Sequence, residues 1–288
     1  MRLSVRCRED IEDRERCKRL HHPVETGFLI ASEPVLSKVA VTVHQKGIED
    51  KSEQAAAIQR MFSSISPRYD FLNRFLSLGI DKSWRKKAVD EVWKEGTQTV
   101  LDVCAGTGDL SLAFMDRMKT GRITVTDFCY EMLELARPKL VHQQVEHELV
   151  QADATRLPFR SEQFDVVGAA FGIRNVTDLD AGICEMSRVA KAGGKVVILE
   201  FSQPENSIFS AIYLFYFRHI LPLIGRLLSG SHIDAYRYLP ESVLAFATAK
   251  QLKSRMELAG LEDVSCRKLM CGAVTIHVGN RPLNPRSV

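Results

Sequence analysis

Between residues 97 and 201 the chain alternates short apolar runs with longer amphipathic stretches, and this alternation restricts the fold more than any other feature. The runs at 97–103, 122–127, 147–151, 164–171 and 195–201 have strand length. Helix-length stretches at 109–118, 130–140 and 178–190 separate them, with a loop ADATRLPFRSEQ after the third run and a KAGG turn before the last. Strand and helix in alternation, with strands apolar on both faces, build a parallel sheet covered by helices on both sides. A helical entry region is expected up to residue 95, and VSCRKLMCGAVTIHVG near the end reads as two strands around Gly272, a hairpin with an antiparallel edge. The expected architecture is α/β: a doubly wound, mostly parallel seven-stranded sheet with a C-terminal antiparallel hairpin and a helical insertion at 205–240.

Composition agrees and removes several classes of function. With 288 residues, 45% hydrophobic, the chain can bury one sizeable core, and no internal repeat divides it, so residues 53–281 are expected to form one catalytic domain. A formal charge of +3 gives no reason to expect nucleic acid. The seven cysteines form no C-x-x-C pair. They suit reduced thiols and a cytoplasmic setting better than a disulfide framework or a metal site. The stretch RCREDIEDRERCKRLHH mixes acids with bases and has no apolar core, unlike a secretory signal or a transit peptide. Residues 1–52 are expected to be a weakly ordered N-terminal extension.

The first apolar run leads into VLDVCAGTGDLS, residues 100–111, where Gly106 and Gly108 flank Thr107. In a doubly wound sheet the loop after the first strand faces the ligand, and glycines let the backbone approach a cofactor at a helix N-terminus. No G-K-[ST] follows, which excludes a P-loop. Asp127 closes the second run, where an acid accepts hydrogen bonds from ribose hydroxyls. Asp153 follows the third, at the level of an adenine ring. Each acid also has an ordinary reading as a cap or turn residue, but their places at successive strand ends point to one nucleotide-type site. A nicotinamide dinucleotide and S-adenosylmethionine both suit it, and Ser111 is a tolerable third small residue for the former. Asp102 and Asp109, which bracket the turn, would repel a pyrophosphate and attract an ammonium and a sulfonium. The expected cofactor is therefore S-adenosylmethionine.

Longer motifs carry a family resemblance. YDFLNRFLSLGIDKSWRKKAV, VLDVCAGTGDLS, AFGIRNVTD, GGKVVILEFSQP and AYRYLPESV together resemble the ubiquinone/menaquinone biosynthesis C-methyltransferase family over residues 59–281. The G-T-G-D turn is shared by many methyltransferases; the F-G-I-R-N-V-T-D, L-E-F-S and Y-R-Y-L-P-E-S runs are more specific. The resemblance implies the class I S-adenosylmethionine-dependent methyltransferase fold and C-methylation of a polyprenylated quinol, with demethylmenaquinol the favoured acceptor. It places Thr107, Asp127, Asp153 and Ala154 on the family's cofactor contacts; with Asp102, Gly106 and Gly108 of the turn, and Ala170, these make up the expected cofactor site. Two positions depart from the family pattern. Ala170 stands where members often carry Ser, which removes a polar contact, and Gly79-Ile80-Asp81 stands where many read G-I-H.

The implied chemistry needs a ring carbon made nucleophilic by loss of a proton from the adjacent hydroxyl. A phenol of pKa ~10 keeps that proton at neutral pH, and a fixed cation within ~4–6 Å lowers such a pKa by roughly 1–3 units. Arg174 and Asn175, after the fourth strand, are the expected catalytic residues: the guanidinium stabilises the quinolate, and the two side chains hold a water that carries the proton. The structural alternative for Arg174 is a salt bridge to Asp178. His219, His232 and Tyr236 are further candidates for the base. The insertion SIFSAIYLFYFRHILPLIGRLLSG, broken by Arg218, His219, Pro222 and Arg226, is too interrupted to span a bilayer. It reads either as a pair of core helices or as a lid that receives the polyprenyl tail and rests on the membrane surface. Tyr69 is expected on the opposite wall. The expected partners are the quinol and, peripherally, the inner face of the plasma membrane, with a homodimer allowed. Three competing functions stay open: methylation of a polyprenyl benzoquinol for ubiquinone, methylation of another lipid or small aromatic, and a non-catalytic scaffold role. Intact Asp102, Gly106, Gly108 and Asp127 argue against the last.

Overall fold

The computed structural model describes residues 58–61, 79–204 and 241–283, together with Glu53, Ala56, Ser77 and Tyr238. The extension at 1–52 and all of the insertion except Tyr238 lie outside these residues. In chain order the elements are α1 (Asp81–Val92), β1 (Thr99–Val103), α2 (Asp109–Met115), β2 (Arg122–Asp127), α3 (Tyr130–Leu140), β3 (Glu146–Gln151), β4 (Phe164–Ala170), α4 (Leu179–Val189), β5 (Ala190–Phe201), α5 (Ala249–Leu258), β6 (Glu262–Leu269) and β7 (Val274–Asn280). The seven strands form one sheet in the order β3-β2-β1-β4-β5-β7-β6. The strands β3, β2, β1, β4 and β5 run parallel. β7 is antiparallel to both of its neighbours, β5 and β6, so the expected hairpin is present with β6 as the outer edge.

Period-two alternation along the strands feeds two apolar layers. Val100, Val166 and Val197 pack on one face with Trp84, Val89, Phe114, Leu133 and Leu140 of the helices α1, α2 and α3. Leu101, Val167 and Ile198 pack on the other with Ile183 and Met186 of α4 and Leu252 and Met256 of α5. α1 shows how the sequence selects its inner face: Asp81, Trp84, Arg85, Ala88, Val89 and Val92 are buried, spaced three and four apart as a helix requires. Each fully buried side chain of Val or Leu size contributes ~1.5–3 kcal/mol, so such a stripe holds the helix more firmly than its propensity alone.

Two local details differ from the sequence expectation. The KAGG turn lies within β5, where two residue steps on β4 (Phe164 to Val166) match five on β5 (Ala190 to Lys195), so the turn is a bulge inside a long strand. α5 was not anticipated, although its start is written in the sequence. Thr248 accepts from the Gln251 backbone N–H while Gln251 Oε1 accepts from the Thr248 N–H, a reciprocal capping box.

Candidate active site

The ligand-facing end of this sheet lies where β1 and β4 run side by side and their connections leave in opposite directions, the usual crevice of a doubly wound fold. Each strand is followed directly by a residue with left-handed backbone, Cys104 (φ 54°) and Phe171 (φ 58°). Non-glycine residues in this region cost on the order of 1 kcal/mol or more, so the surrounding contacts must hold them there. Phe171 is held by a hydrogen bond from its N–H to the Leu199 carbonyl at 2.8 Å and by its ring, which packs 4.7 Å from Phe201 and beneath the Arg85 guanidinium at 5.2 Å. Arg85 in turn is paired with buried Asp81. The departure from G-I-H thus gives a carboxylate with a structural partner. Gly172 presses on the opposite turn: a Cβ there would lie 2.5 Å from Cys104 Cβ and 2.7 Å from its carbonyl oxygen. No side chain fits between the two strand ends.

A cleft of about 750 Å³, open to solvent, begins at this point. Its wall includes Gly106, Asp127, Asp153, Ala154 and Asn175 of the expected site residues, along with Cys104, Met132 and Val176. Asp127 accepts from the Gly106 N–H and the Cys129 N–H, each at 2.8 Å, one bond to each oxygen. Burial pushes its carboxyl upward while those backbone donors pull it down. Since a carboxylate has about four lone-pair sites, two hydroxyl donors can still be accepted. Asp153 accepts from the Thr155 N–H at 2.8 Å and is exposed. The loop that carries it is tied to α4: Glu185 accepts from the Leu157 N–H at 2.8 Å, and Arg188 donates to the carbonyls of Leu157 and Phe159 at 3.2 and 2.9 Å.

Five of the expected residues stand off the wall, Arg174 and four of the cofactor set. Gly108 is the left-handed N-cap of α2 (φ 80°), Thr107 is 3% exposed, and Ala170 packs against the apolar layer. Asp102 is fully buried, with Oδ2 accepting from Ser111 Oγ at 2.6 Å and Oδ1 without a hydrogen-bond partner among the described residues. Burial pushes its carboxyl up to about 7. An orphaned carboxylate oxygen behind the glycine turn, with Asp127 and Asp153 on the wall, suits a ligand that brings hydroxyls and positive charge and does not suit a pyrophosphate. The residues present therefore fit S-adenosylmethionine.

Arg174 differs most from expectation. It sits in the 3-10 turn Ile173–Asn175, but its partner is Glu200 and not Asp178. Its Nη1 donates to Glu200 Oε1 at 2.9 Å and to the Phe171 carbonyl, and its Nε donates to Ser242 Oγ at 3.4 Å. The two side chains are 5% and 0% exposed, so the guanidinium charge is balanced by a buried carboxylate. Asp178 instead caps α4, accepting from the Ala181 N–H at 3.0 Å. Asn175 faces the cleft, and its Oδ1 accepts from Tyr238 Oη at 3.0 Å. Sequence reasoning passed over Glu200 and Tyr238, although both lie in motifs it singled out, L-E-F-S and Y-R-Y-L-P-E-S. Tyr69, His219, His232 and Tyr236 lie outside the described residues. Among the described residues no cluster of His, Cys, Asp and Glu could hold a metal ion, and no helix is long and apolar enough to cross a membrane.

Residues 48–281 match the family model of the ubiE/COQ5 methyltransferase family. The chain belongs to that family. Within it, the chain is 43% identical over 234 residues to the demethylmenaquinone methyltransferase of Deinococcus radiodurans, covering 81% of this chain and 96% of that protein. It is 43% identical over 238 residues to the ubiquinone/menaquinone biosynthesis C-methyltransferase UbiE of Geobacter sulfurreducens, covering 81% and 91%. Among solved structures, a SAM-dependent methyltransferase of Thermotoga maritima aligns with a TM-score of 0.55 at 18% identity, covering 78% of this chain and 99% of that one. That likeness concerns the fold, which is the class I methyltransferase fold in both. As a ubiE/COQ5 methyltransferase the chain is an enzyme of methyl transfer, and S-adenosylmethionine is its cofactor.

Proposed function

We propose that this methyltransferase methylates a ring carbon of a polyprenylated quinol, with demethylmenaquinol as the acceptor and menaquinol as the product. The observation that supports this most directly is the similarity, over four-fifths of the chain, to a protein named demethylmenaquinone methyltransferase. S-adenosylmethionine, when bound, supplies an electrophilic methyl group.

The chain's own residues then have distinct tasks. Asp127 accepts the ribose hydroxyls, while Asp153 and Ala154 face the adenine end. The Gly106 N–H holds Asp127 in place, Gly108 starts the adjoining helix, Thr107 and Ala170 support the turn from behind, and Asp102 offsets the cofactor's ammonium. The acceptor hydroxyl must lose its proton, and the developing oxygen anion needs donors fixed in advance. Asn175 is the wall residue placed to meet that oxygen. Arg174, one residue back, holds the turn through Glu200 and adds only the part of its field that Glu200 does not cancel. Peripheral contact with a membrane surface belongs to the same reading, since a polyprenylated acceptor resides in a bilayer.

The test is methyl transfer from labelled S-adenosylmethionine, run in parallel on reduced demethylmenaquinone and on a reduced demethylated polyprenyl benzoquinol. Label on the naphthoquinol is the expected result, and label on both extends the enzyme to ubiquinone. Label on neither, with the cofactor bound, overturns the reading and favours another lipid or small aromatic acceptor.

A further inference from the structure

Methyl transfer to an aromatic carbon needs a donor at the neighbouring oxygen, where negative charge develops before the new bond forms. The Arg174 guanidinium is tied to Glu200, the Phe171 carbonyl and Ser242, which leaves the adjacent Asn175 as the side chain of this turn on the cleft wall. An amide presents an acceptor at Oδ1 and two donors at Nδ2. Only the second of these helps an oxygen anion. What matters is which way the amide is turned.

The segment at the end of the insertion turns the amide. Ser242 accepts from Arg174, and Tyr238 Oη donates to Asn175 Oδ1 at 3.0 Å, so two side chains of one short segment grip two successive residues of the turn. Burial pushes the Tyr238 phenol up, with Arg174 pulling it down and Glu200 pushing it up, so the phenol keeps its proton and donates at neutral pH. Among the described residues no hydrogen bond engages Asn175 Nδ2. The opposite amide orientation would turn Nδ2 to the phenol and face Oδ1, which repels an anion, toward the cleft.

We propose that Tyr238 is a positioning residue for the methyl transfer: by holding Asn175 Oδ1 it turns the amide so that Nδ2 donates to the oxygen anion of the aromatic acceptor. This rests on the quinol reading given above and deepens it. The acceptor class it favours is an aromatic with an ionisable hydroxyl beside the methylated carbon. An amine acceptor, which needs no oxyanion donor, would gain nothing from this arrangement.

The test is a double-mutant cycle with Tyr238→Phe, Asn175→Ala and the double variant in the full chain. It reads kcat and KM on reduced demethylmenaquinone and Kd for S-adenosylmethionine. Loss of one fixed oxyanion donor lowers kcat by about 10²-fold, so that is the expected effect of N175A. Y238F keeps the ring and is expected to lower kcat about tenfold, with KM and the cofactor Kd unchanged. Because Tyr238 acts through Asn175, the double variant should be no slower than N175A alone. Multiplying losses, or a Y238F variant that loses cofactor or acceptor binding while keeping kcat, overturns the proposal and makes Tyr238 a packing residue. A wild-type chain that binds cofactor yet labels no quinol overturns the quinol reading itself, which a failed cycle in an active enzyme does not.

Discussion

Removing the cation from the Arg174–Glu200 pair has a consequence that can be worked out from the geometry. Glu200 is fully buried, and burial pushes its carboxyl up while the Arg174 charge and the N–H groups of Phe201 and Arg174 pull it down. In Arg174→Met the cation is gone and the folded-state pKa rises further above the ~4.3 of an unfolded Glu. A group with a raised folded pKa contributes its full stability below the unfolded pKa and loses it as pH rises toward the folded pKa, at ~1.4 kcal/mol per pH unit. Between pH 5 and 7 the variant should lose about 2–3 kcal/mol beyond its loss at pH 5, in line with the ~3–5 kcal/mol typical of a broken buried pair. In R174M/E200Q the Gln carbonyl still accepts from the Phe201 N–H but carries no titrating charge. Thermal unfolding without cofactor should therefore show R174M falling below R174M/E200Q by roughly 4–12 °C over that range, at about 2–4 °C per kcal/mol. Parallel curves for the two variants would refute the reasoning, because Glu200 would then not depend on Arg174 for its charge. The double variant also tests catalysis: if the guanidinium acts only by holding the turn, turnover should fall with the placement of Asn175 and not with the charge.

Other expectations follow from the same cleft. Gly172→Ala puts a methyl 2.5 Å from Cys104 Cβ and 2.7 Å from its carbonyl. Overpacking of this kind costs ~1–3 kcal/mol, so both unfolding temperature and cofactor affinity should fall, and a wild-type value for either would show that the strand ends can part freely. Asp127→Ala should abolish binding of S-adenosylmethionine in calorimetry, since it removes the acceptor of the Gly106 N–H and, in the function proposed above, of the ribose hydroxyls. Asp102, pushed up to about 7 by burial, stabilises the empty protein below its unfolded pKa and loses that contribution as pH rises through about 7. The stability of Asp102→Asn relative to wild type, measured without cofactor, should therefore increase by on the order of a few kcal/mol between pH 4 and 8; a flat difference would contradict the raised pKa.

The sheet, and the meeting of Gly106, Asp127 and Asp153 on one cleft wall, were legible because both rest on short-range pattern. Apolar runs fix the strands, and Gly106, Asp127 and Asp153 lie at or just past strand ends, so placing the strands places the residues. The partner of Arg174 was not legible in this way. Spacing along the chain favours Asp178, four residues on, but β4 lies beside β5 with Ala170 opposite Leu199, which sets the next turn against Glu200. Sheet register decides that contact, and one sequence does not display register. Tyr238 is 63 residues from Asn175 and lies at the end of the insertion. Cys104 and Phe171 were missed for another reason: left-handed backbone usually shows itself as glycine, and here aromatic packing and the fit of Gly172 hold other residues in it.

The place of β7 between β5 and β6 also gives the fold a timetable. During synthesis β6 emerges before any strand it can pair with, and the outer edge of β5 is bare until residues 274–280 arrive. Both edges carry unpaired backbone groups of the kind that recruit other chains. Arg281 then fastens the junction, exchanging backbone hydrogen bonds of 2.9 Å with Gly193 and Gly194 at the bulge. β7 is the strand that joins β6 to the rest of the sheet, so the interval of greatest risk of aggregation falls before residues 274–280 have emerged.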